Sequence, residues 1–380
     1  MGLQFGRVSE TNGHGSKIWL RGPLWDLGLV AFCWLPFLAW VVFDLGLGGS
    51  NSPDPTPKGE LSPLARATLV ALGASYIHRH LTFILVYGDP KTFASRRKAF
   101  IWAPVIVFGA LGVLLLAQGD ARIEIPGLKF KMRPWFVALM ITGAWNMWHT
   151  LMQRHGLARI YAAKLGRGLQ DRAHARRDLA LLFGAGLMTA ALTLRFRLDT
   201  FTGARNAKRM KDTLGPLLEG APGLILLSLV TLLFAVLVFR WARAEFSAPI
   251  AGRERIARLS FWASTFALMA TFVVWGPIVG YLAFGTAHAI EYIAFFHHFG
   301  GKRFTSEDRP SFASRLLAKP RHTALPLIAG FALLYWATRG VAKTEVYAWY
   351  YTATSLLHFL YDGWIWKVRK PEMKKPLDLA

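Results

Sequence analysis

Long apolar runs separated by short polar and basic segments recur along the whole chain. About 20 helical residues cross the roughly 30 Å hydrocarbon core of a bilayer, and a helix satisfies its backbone hydrogen bonds internally there. These runs have near that length, so each predicts a membrane-spanning helix. The ten predicted spans cover residues 24–44, 64–88, 99–118, 135–155, 178–194, 223–240, 259–275, 278–298, 323–338 and 346–366.

The seventh and eighth spans form one continuous apolar stretch. We divide it at Gly276 and Pro277, because proline removes a backbone donor and clashes with the preceding helical turn. The alternative is a single kinked helix.

Composition agrees with a membrane protein. Hydrophobic residues make up 53% of the 380 residues and charged residues 18%, against about 45–50% and about 25% in soluble domains. The predicted fold class is therefore all-α: a polytopic integral membrane helical bundle forming one transmembrane domain, residues 1–380. The basic residues that give the chain its net charge of +23 lie between the apolar runs. We therefore expect contact with the lipid bilayer and no nucleic-acid partner.

The distribution of basic residues predicts the orientation. The amino terminus, the even-numbered loops and the carboxyl tail carry 30 Lys and Arg residues, whereas the odd-numbered loops carry 13. Cytoplasmic loops are enriched in Lys and Arg. We therefore expect cytoplasmic tails at 1–23 and 367–380, in a membrane of the bacterial inner type.

Histidines concentrate on four even-numbered predicted helices, the second, fourth, eighth and tenth, and in the later part of each. Because even-numbered helices all run toward the cytoplasm, these histidines share one depth, and ionisable groups inside a membrane usually face a shared interior site. This pattern predicts a metal centre between even-numbered helices. His14 and His174 lie in polar segments and are expected to be solvated.

Helical periodicity selects which side chains face that centre. Glu291 follows His288 by three residues and precedes His298 by seven, which places all three on one face and His297 on the other. His358 and Asp362 are four residues apart and share a face. His78 and His80 point in nearly opposite directions, so at most one of them should point inward.

Imidazole and carboxylate donors together suit iron, manganese or zinc. The donors outnumber the four ligands of a tetrahedral zinc, which predicts two or more ions, with non-haem iron expected and haem, zinc or manganese as alternatives. The only cysteine, Cys33, excludes an intrachain disulfide and a self-contained iron–sulfur cluster. The predicted metal ligands are His78, His80, His149, His288, Glu291, His298, His358 and Asp362.

This pattern resembles the integral-membrane multi-histidine oxygenases, which include membrane fatty-acid desaturases, hydroxylases and alkane monooxygenases. In place of their HxxxH and HxxHH boxes the chain has HxH at 78–80, Hx5H at 149–155, HxxEx5HH at 288–298 and HxxxD at 358–362. His358, Asp362 and the segment AFFHHFGGKRF are also similar to elements of the Brp/Blh β-carotene dioxygenases. The resemblance implies an oxidoreductase that uses O2.

The expected function is a membrane-embedded iron oxygenase that hydroxylates, desaturates or cleaves a lipophilic small molecule. No nucleotide-binding fingerprint is present, so electrons would come from a separate donor protein. Two other functions stay open: a haem-bearing electron-transfer protein with paired axial histidines, and a transporter of metal ions or protons through a relay of His and carboxylates.

Overall fold

The computed structural model describes residues 18–45, 61–117, 119, 121–125, 130–167, 169, 171–197, 204–305, 310–338, 345–367 and 370–379. Across these residues the chain is a bundle of α-helices with one small antiparallel hairpin, β1 (Ile123–Ile125) paired with β2 (Phe130–Met132). The predicted all-α class is therefore confirmed. The α-helices are α1 (Pro23–Trp25), α2 (Leu35–Leu45), α3 (Pro63–Gly88), α4 (Pro90–Ser95), α5 (Arg97–Ala117), α6 (Pro134–Lys164), α7 (Arg172–Phe196), α8 (Ala204–Glu219), α9 (Ala221–Phe246), α10 (Ile256–Val274), α11 (Pro277–Phe304), α12 (Phe312–Leu317), α13 (Pro320–Thr338), α14 (Glu345–Ile365) and α15 (Pro371–Lys374).

Helical structure covers each of the ten predicted segments. Six of the described helices are long and apolar enough to cross a membrane, namely α3, α5, α7, α9, α11 and the segment containing α10. A seventh candidate is the pair Pro23–Ala31 and Leu35–Asp44, which is bent by 48°. Helices α6, α13 and α14 are outside that set. In α6, polar residues such as Asn146, His149 and Gln153 reduce the apolarity. These helices indicate an integral membrane protein.

The predicted break between the seventh and eighth spans is confirmed. Helix α10 ends at Val274 and α11 begins at Pro277. Between them Gly276 has φ of 88°, a left-handed conformation that favours glycine. The two helices then fold back on each other, and a Cβ added at Gly280 would overlap the ring of Phe272.

Helices α3, α10 and α11 occupy the centre of the bundle. In their most apolar windows 56% of the residues are buried, against 11% in α5 and α9. The exposed side chains of α9 include Leu229, Leu232 and Phe239, as expected for a helix facing lipid. Helices α6 and α14 pack against this centre, so α3, α6, α11 and α14 can bring side chains to one interior site.

A buried network of charges joins α7, α9 and α10 at one end of the bundle. Arg258 donates to Asp178 Oδ1 at 2.6 Å and to Glu245 Oε2 at 3.2 Å. His174 belongs to the same network and is only 3% exposed, so the prediction of a solvated His174 is wrong. Its ring is buried because the first turn of α7 packs against α6, where Arg159 Nη1 lies 2.6 Å from His174 Nδ1.

The end of the chain packs onto the bundle. Met373, Leu377 and Leu379 are buried in the hydrophobic cluster that also contains Trp19 and Leu20. The described part of the segment expected to be a cytoplasmic tail is therefore not a free extension.

Removal of the Arg258 side chain should destabilise the fold. The change Arg258→Ala leaves two buried carboxylates without their shared cation, and breaking a buried ion pair costs about 3–5 kcal/mol. Thermal unfolding in detergent should show a clear decrease in Tm for this variant. Arg253→Ala, which changes an exposed residue of the same segment, serves as the control. Equal Tm values for the two variants would contradict the importance of the network.

Candidate metal centre

Four imidazoles and one carboxylate meet in the middle of the bundle. They are His78 on α3, His149 on α6, His288 on α11, and His358 with Asp362 on α14. Within each of two groups, His78 with His288 and His358, and His149 with His358 and Asp362, the donor atoms lie within 4.8 Å of one another. These four helices correspond to the second, fourth, eighth and tenth predicted spans, and His358 joins the two groups into one cluster.

Donor atoms of the cluster lie close to one another. His78 Nε2 and His358 Nε2 are 3.2 Å apart, and Asp362 Oδ2 lies 3.6 Å from both His149 Nε2 and His358 Nε2. Two ligands of one ion at about 2.1 Å are separated by about 3.0–3.4 Å, depending on the coordination angle. The distance between the two Nε2 atoms lies in the range for a shared metal ion, and without an ion the same pair forms a hydrogen bond.

The cluster contains buried nitrogens that no described protein group satisfies. His288 is 1% exposed, and neither of its ring nitrogens has a hydrogen-bond partner. The same holds for Nδ1 of His78 and Nε2 of His149. Buried polar atoms are nearly always bonded, and an unsatisfied one costs about 1–3 kcal/mol. A metal ion would satisfy the unpaired nitrogen of His149 and one of the two of His288, so these residues fit a metal site.

A second set of hydrogen bonds orients the donors. Thr82 Oγ1 accepts from His358 Nδ1–H at 2.7 Å and donates to Asp362 Oδ1 at 3.1 Å. Tyr292 also donates to Asp362 Oδ1, at 3.1 Å. With Nδ1 protonated, His358 presents the Nε2 lone pair to the centre, and Asp362 keeps Oδ2 available. Thr82 was not predicted from the sequence, although it follows His78 by four residues and so shares its helical face.

His80 lies outside the cluster, against the predicted ligand set. The expectation that at most one of His78 and His80 points inward is confirmed, and the inward residue is His78. His80 donates from Nδ1 to the carbonyl oxygen of Tyr76 at 2.6 Å, and its Nε2 is 2.6 Å from the Tyr350 hydroxyl. Both of its nitrogens are therefore occupied.

Glu291 is also separate from the cluster, because another helix supplies its counter-ion. Its carboxylate pairs with Arg154 of α6, and both side chains are fully buried. Arg154 also donates to Thr265 Oγ1 at 2.7 Å. The sequence did not predict this ion pair, because Arg154 was included with the basic loop residues that set the orientation of the chain.

His298 lies too far along α11 to join His288. Ten residues of helix at about 1.5 Å each separate the two by about 15 Å, so agreement in angle does not bring them together. The ring centroid of His298 lies 5.3 Å from that of Trp25. The predicted set of His288, Glu291 and His298 therefore divides into three environments.

A cavity of about 580 Å³ adjoins the cluster. His149 and Asp362 reach its wall, and most of the remaining lining is aromatic or aliphatic. A pocket of this kind suits a lipophilic molecule. The apolar and aromatic lining residues include Trp145, Trp148, Met152, Leu157, Phe295, Phe359 and Trp366.

Comparisons with known protein families, curated proteins and solved structures found no match for this chain. The proposed chemistry of the site therefore rests on the positions of its own residues.

The proposed ligand set predicts opposite effects on metal content for substitutions at two histidines. His288→Ala should reduce bound metal from about one ion per chain to a small fraction, because it removes a buried donor of the cluster. His80→Ala should retain the metal, because both nitrogens of His80 are already bonded elsewhere. Elemental analysis of the purified proteins provides the measurement. Equal metal loss in the two variants, or none in either, would contradict the proposed ligand set.

Glu291 should behave as a structural residue. Glu291→Gln leaves Arg154 buried without a charged partner, so unfolding should become easier by about 3–5 kcal/mol while metal content stays near that of the unmodified protein. Elemental analysis and thermal unfolding of the same samples measure both quantities. Metal loss with an unchanged Tm would instead show that Glu291 is a metal ligand.

Proposed function

We propose that this protein is a membrane-embedded non-haem iron oxygenase that oxidises a lipophilic small molecule with O2. The observation that carries the proposal is the convergence of four imidazoles, three of them buried, and Asp362 beside a largely apolar cavity, with both nitrogens of His288 unpaired. A metal site with a purely structural role would not need a cavity of this kind beside it.

The donor set favours iron. It consists of nitrogen and oxygen without sulfur, which suits iron, manganese or zinc, and its five candidate donors exceed the four of tetrahedral zinc. We propose one ion, rather than the two or more expected from the sequence, because Glu291 and His298 lie elsewhere and the remaining five donors form two groups that share His358. When bound, iron supplies the redox chemistry that activates O2.

The surrounding residues have separate tasks in this proposal. Thr82 and Tyr292 hold one oxygen of Asp362, so the other oxygen is kept toward the ion. The aromatic cavity wall holds the substrate and excludes water. Where the oxidation needs added electrons, a separate donor protein supplies them.

The geometry gives less support to the alternatives. The cluster rings lie 4.6–6.0 Å apart where their contacts are measured, which leaves no room for a porphyrin between paired histidines. A transporter requires a polar route to both faces. The cavity beside the cluster is instead mainly apolar.

We also propose the finer topology of ten spans with both termini on the cytoplasmic side of a bacterial-type inner membrane. In this arrangement α6, α13 and α14 cross the membrane as well, and the polar faces of α6 and α14 are shielded inside the bundle. The support is that a helix occupies each predicted segment and that basic residues concentrate in alternate loops.

Nitric oxide tests whether the centre has an open iron position. The full chain, loaded with ferrous iron without air, should give the electron paramagnetic resonance signal of a high-spin iron nitrosyl, and His288→Ala should not. Cells that express the protein should then incorporate label from 18O2 into a lipid-extractable product. A Soret band, or zinc as the metal found in the iron-supplemented protein, would overturn the proposal.

A cavity variant separates substrate binding from metal binding. Gly363 lines the cavity, and an added Cβ meets nothing within 4 Å among the described residues. Gly363→Leu should therefore retain iron while reducing product formation by about tenfold or more, because a displaced substrate loses its reaction geometry. Gly143→Leu, at an equally open position of α6 outside the cavity lining, should keep full activity.

Reporter fusions test the proposed topology. Fusions in the segments 119–133 and 200–220 should be external, and those in 165–176 and 302–320 cytoplasmic. The physical basis is the retention of Lys- and Arg-rich loops on the cytoplasmic side. Reversed sidedness for either pair would show that the span count is wrong.

A further inference from the structure

A second cavity, of about 850 Å³, lies near the end of α11, away from the metal centre. It is bounded by the last turns of α11, the turn that precedes α13, and the first helical residues of the described chain. His297, which contributes to it, follows His288 by nine residues, about 14 Å along the helix. The proposed oxygenase chemistry makes no use of this cavity.

The mouth of this cavity is basic. Arg21, Lys302, Lys319 and Arg321 line it. Lys302 pairs with the exposed Asp378, but in the described part of the chain Arg21, Lys319 and Arg321 have no carboxylate partner. No acidic side chain of the described residues lines the cavity. Three uncompensated cations around one opening indicate an anionic ligand.

Buried imidazoles provide an independent indication. His297 lines the cavity and is 7% exposed, and neither of its ring nitrogens has a hydrogen-bond partner. The neighbouring His298 also lines it and has an unpartnered Nε2. A polar ligand in the cavity would supply the missing partners, which the apolar side chains around them cannot.

The inner wall is apolar. Leu29, Ile290, Ile293 and Ile328 line it beneath the basic mouth. Helix α13 begins at Pro320 beside the mouth, so the positive end of its dipole adds to the attraction for an anion. A soluble anion would leave the apolar wall unused, whereas an amphiphile would use both surfaces.

We propose that this cavity binds one anionic phospholipid. The phosphate lies among Arg21, Lys319 and Arg321, with the imidazoles of His297 and His298 bonding its head group, and the start of an acyl chain lies along the wall of Leu29, Ile290, Ile293 and Ile328. Arg and Lys are the usual partners of phosphate oxygens.

Native mass spectrometry of the full chain in detergent tests this site. Phosphatidylglycerol and phosphatidylcholine with the same acyl chains are titrated separately. The test variant combines Arg21→Gln, Lys319→Gln and Arg321→Gln. The control variant combines Arg97→Gln, Lys98→Gln and Arg172→Gln, which removes the same charge from exposed residues in other predicted cytoplasmic loops. Ala294→Trp fills the cavity without changing the charge.

The unmodified protein and the control variant should retain one phosphatidylglycerol at concentrations where phosphatidylcholine does not bind. The test variant should bind phosphatidylglycerol about tenfold more weakly or worse, and Ala294→Trp should lose the tightly held molecule. Millimolar inorganic phosphate should not displace it. Equal binding of the two lipids, equal weakening in the test and control variants, or displacement by inorganic phosphate would overturn the proposal.

Discussion

An apolar surrounding cannot solvate charge, so every ionisable group inside this bundle needs a partner, and the interior is organised by how each group obtains one. Two sets of opposite charges are paired within the protein. Arg154 pairs with Glu291, and Arg258 is shared by Asp178 and Glu245. The histidine cluster is different, because four imidazoles surround one carboxylate and several of their nitrogens stay unpaired. This unpaired set is the one that the proposed metal ion would occupy.

The contact between α3 and α14 shows how the helices hold that set in place. Successive polar residues of α3 reach α14: Arg79 donates to Ser355 at 2.7 Å and lies 3.8 Å from the ring centroid of Tyr351. His78 and Thr82 of α3 contact His358 of α14 at 3.2 Å and 2.7 Å. One interface therefore supplies hydrogen-bond and ring contacts to a buried guanidinium and aligns two of the proposed metal ligands. A change in the relative position of α3 and α14 would disturb both tasks together.

Helix α11 serves two chemically distinct regions because a helix separates residues along its axis as well as around it. His288 lies at the level of the cluster, whereas His297 and His298 lie near the end of the helix beside basic side chains and Trp25. The same rise explains why shared angular position wrongly grouped His288 with His298. Depth within the membrane decides which neighbours a side chain meets.

Much of this site could be predicted from the printed sequence. Apolar run length located the helices, and proline chemistry placed the break before α11. Shared depth on even-numbered spans selected His149, His288, His358 and Asp362, together with one of His78 and His80. Run length and residue spacing are properties of one segment, and a helix converts them directly into depth and angle. These quantities need no knowledge of the neighbours.

Only the tertiary structure decided which polar groups were already neutralised. Glu291 has the depth and the angle of a ligand, yet Arg154 from α6 takes its charge, and His80 is bonded at both nitrogens by Tyr76 and Tyr350. His174, in a segment that reads as solvated, is buried because α6 and α10 cover it. In each case a partner atom from another helix decides the outcome, and for His80 the Tyr76 carbonyl of its own helix contributes as well. Packing, rather than local spacing, determines whether a buried donor stays free to bind a metal.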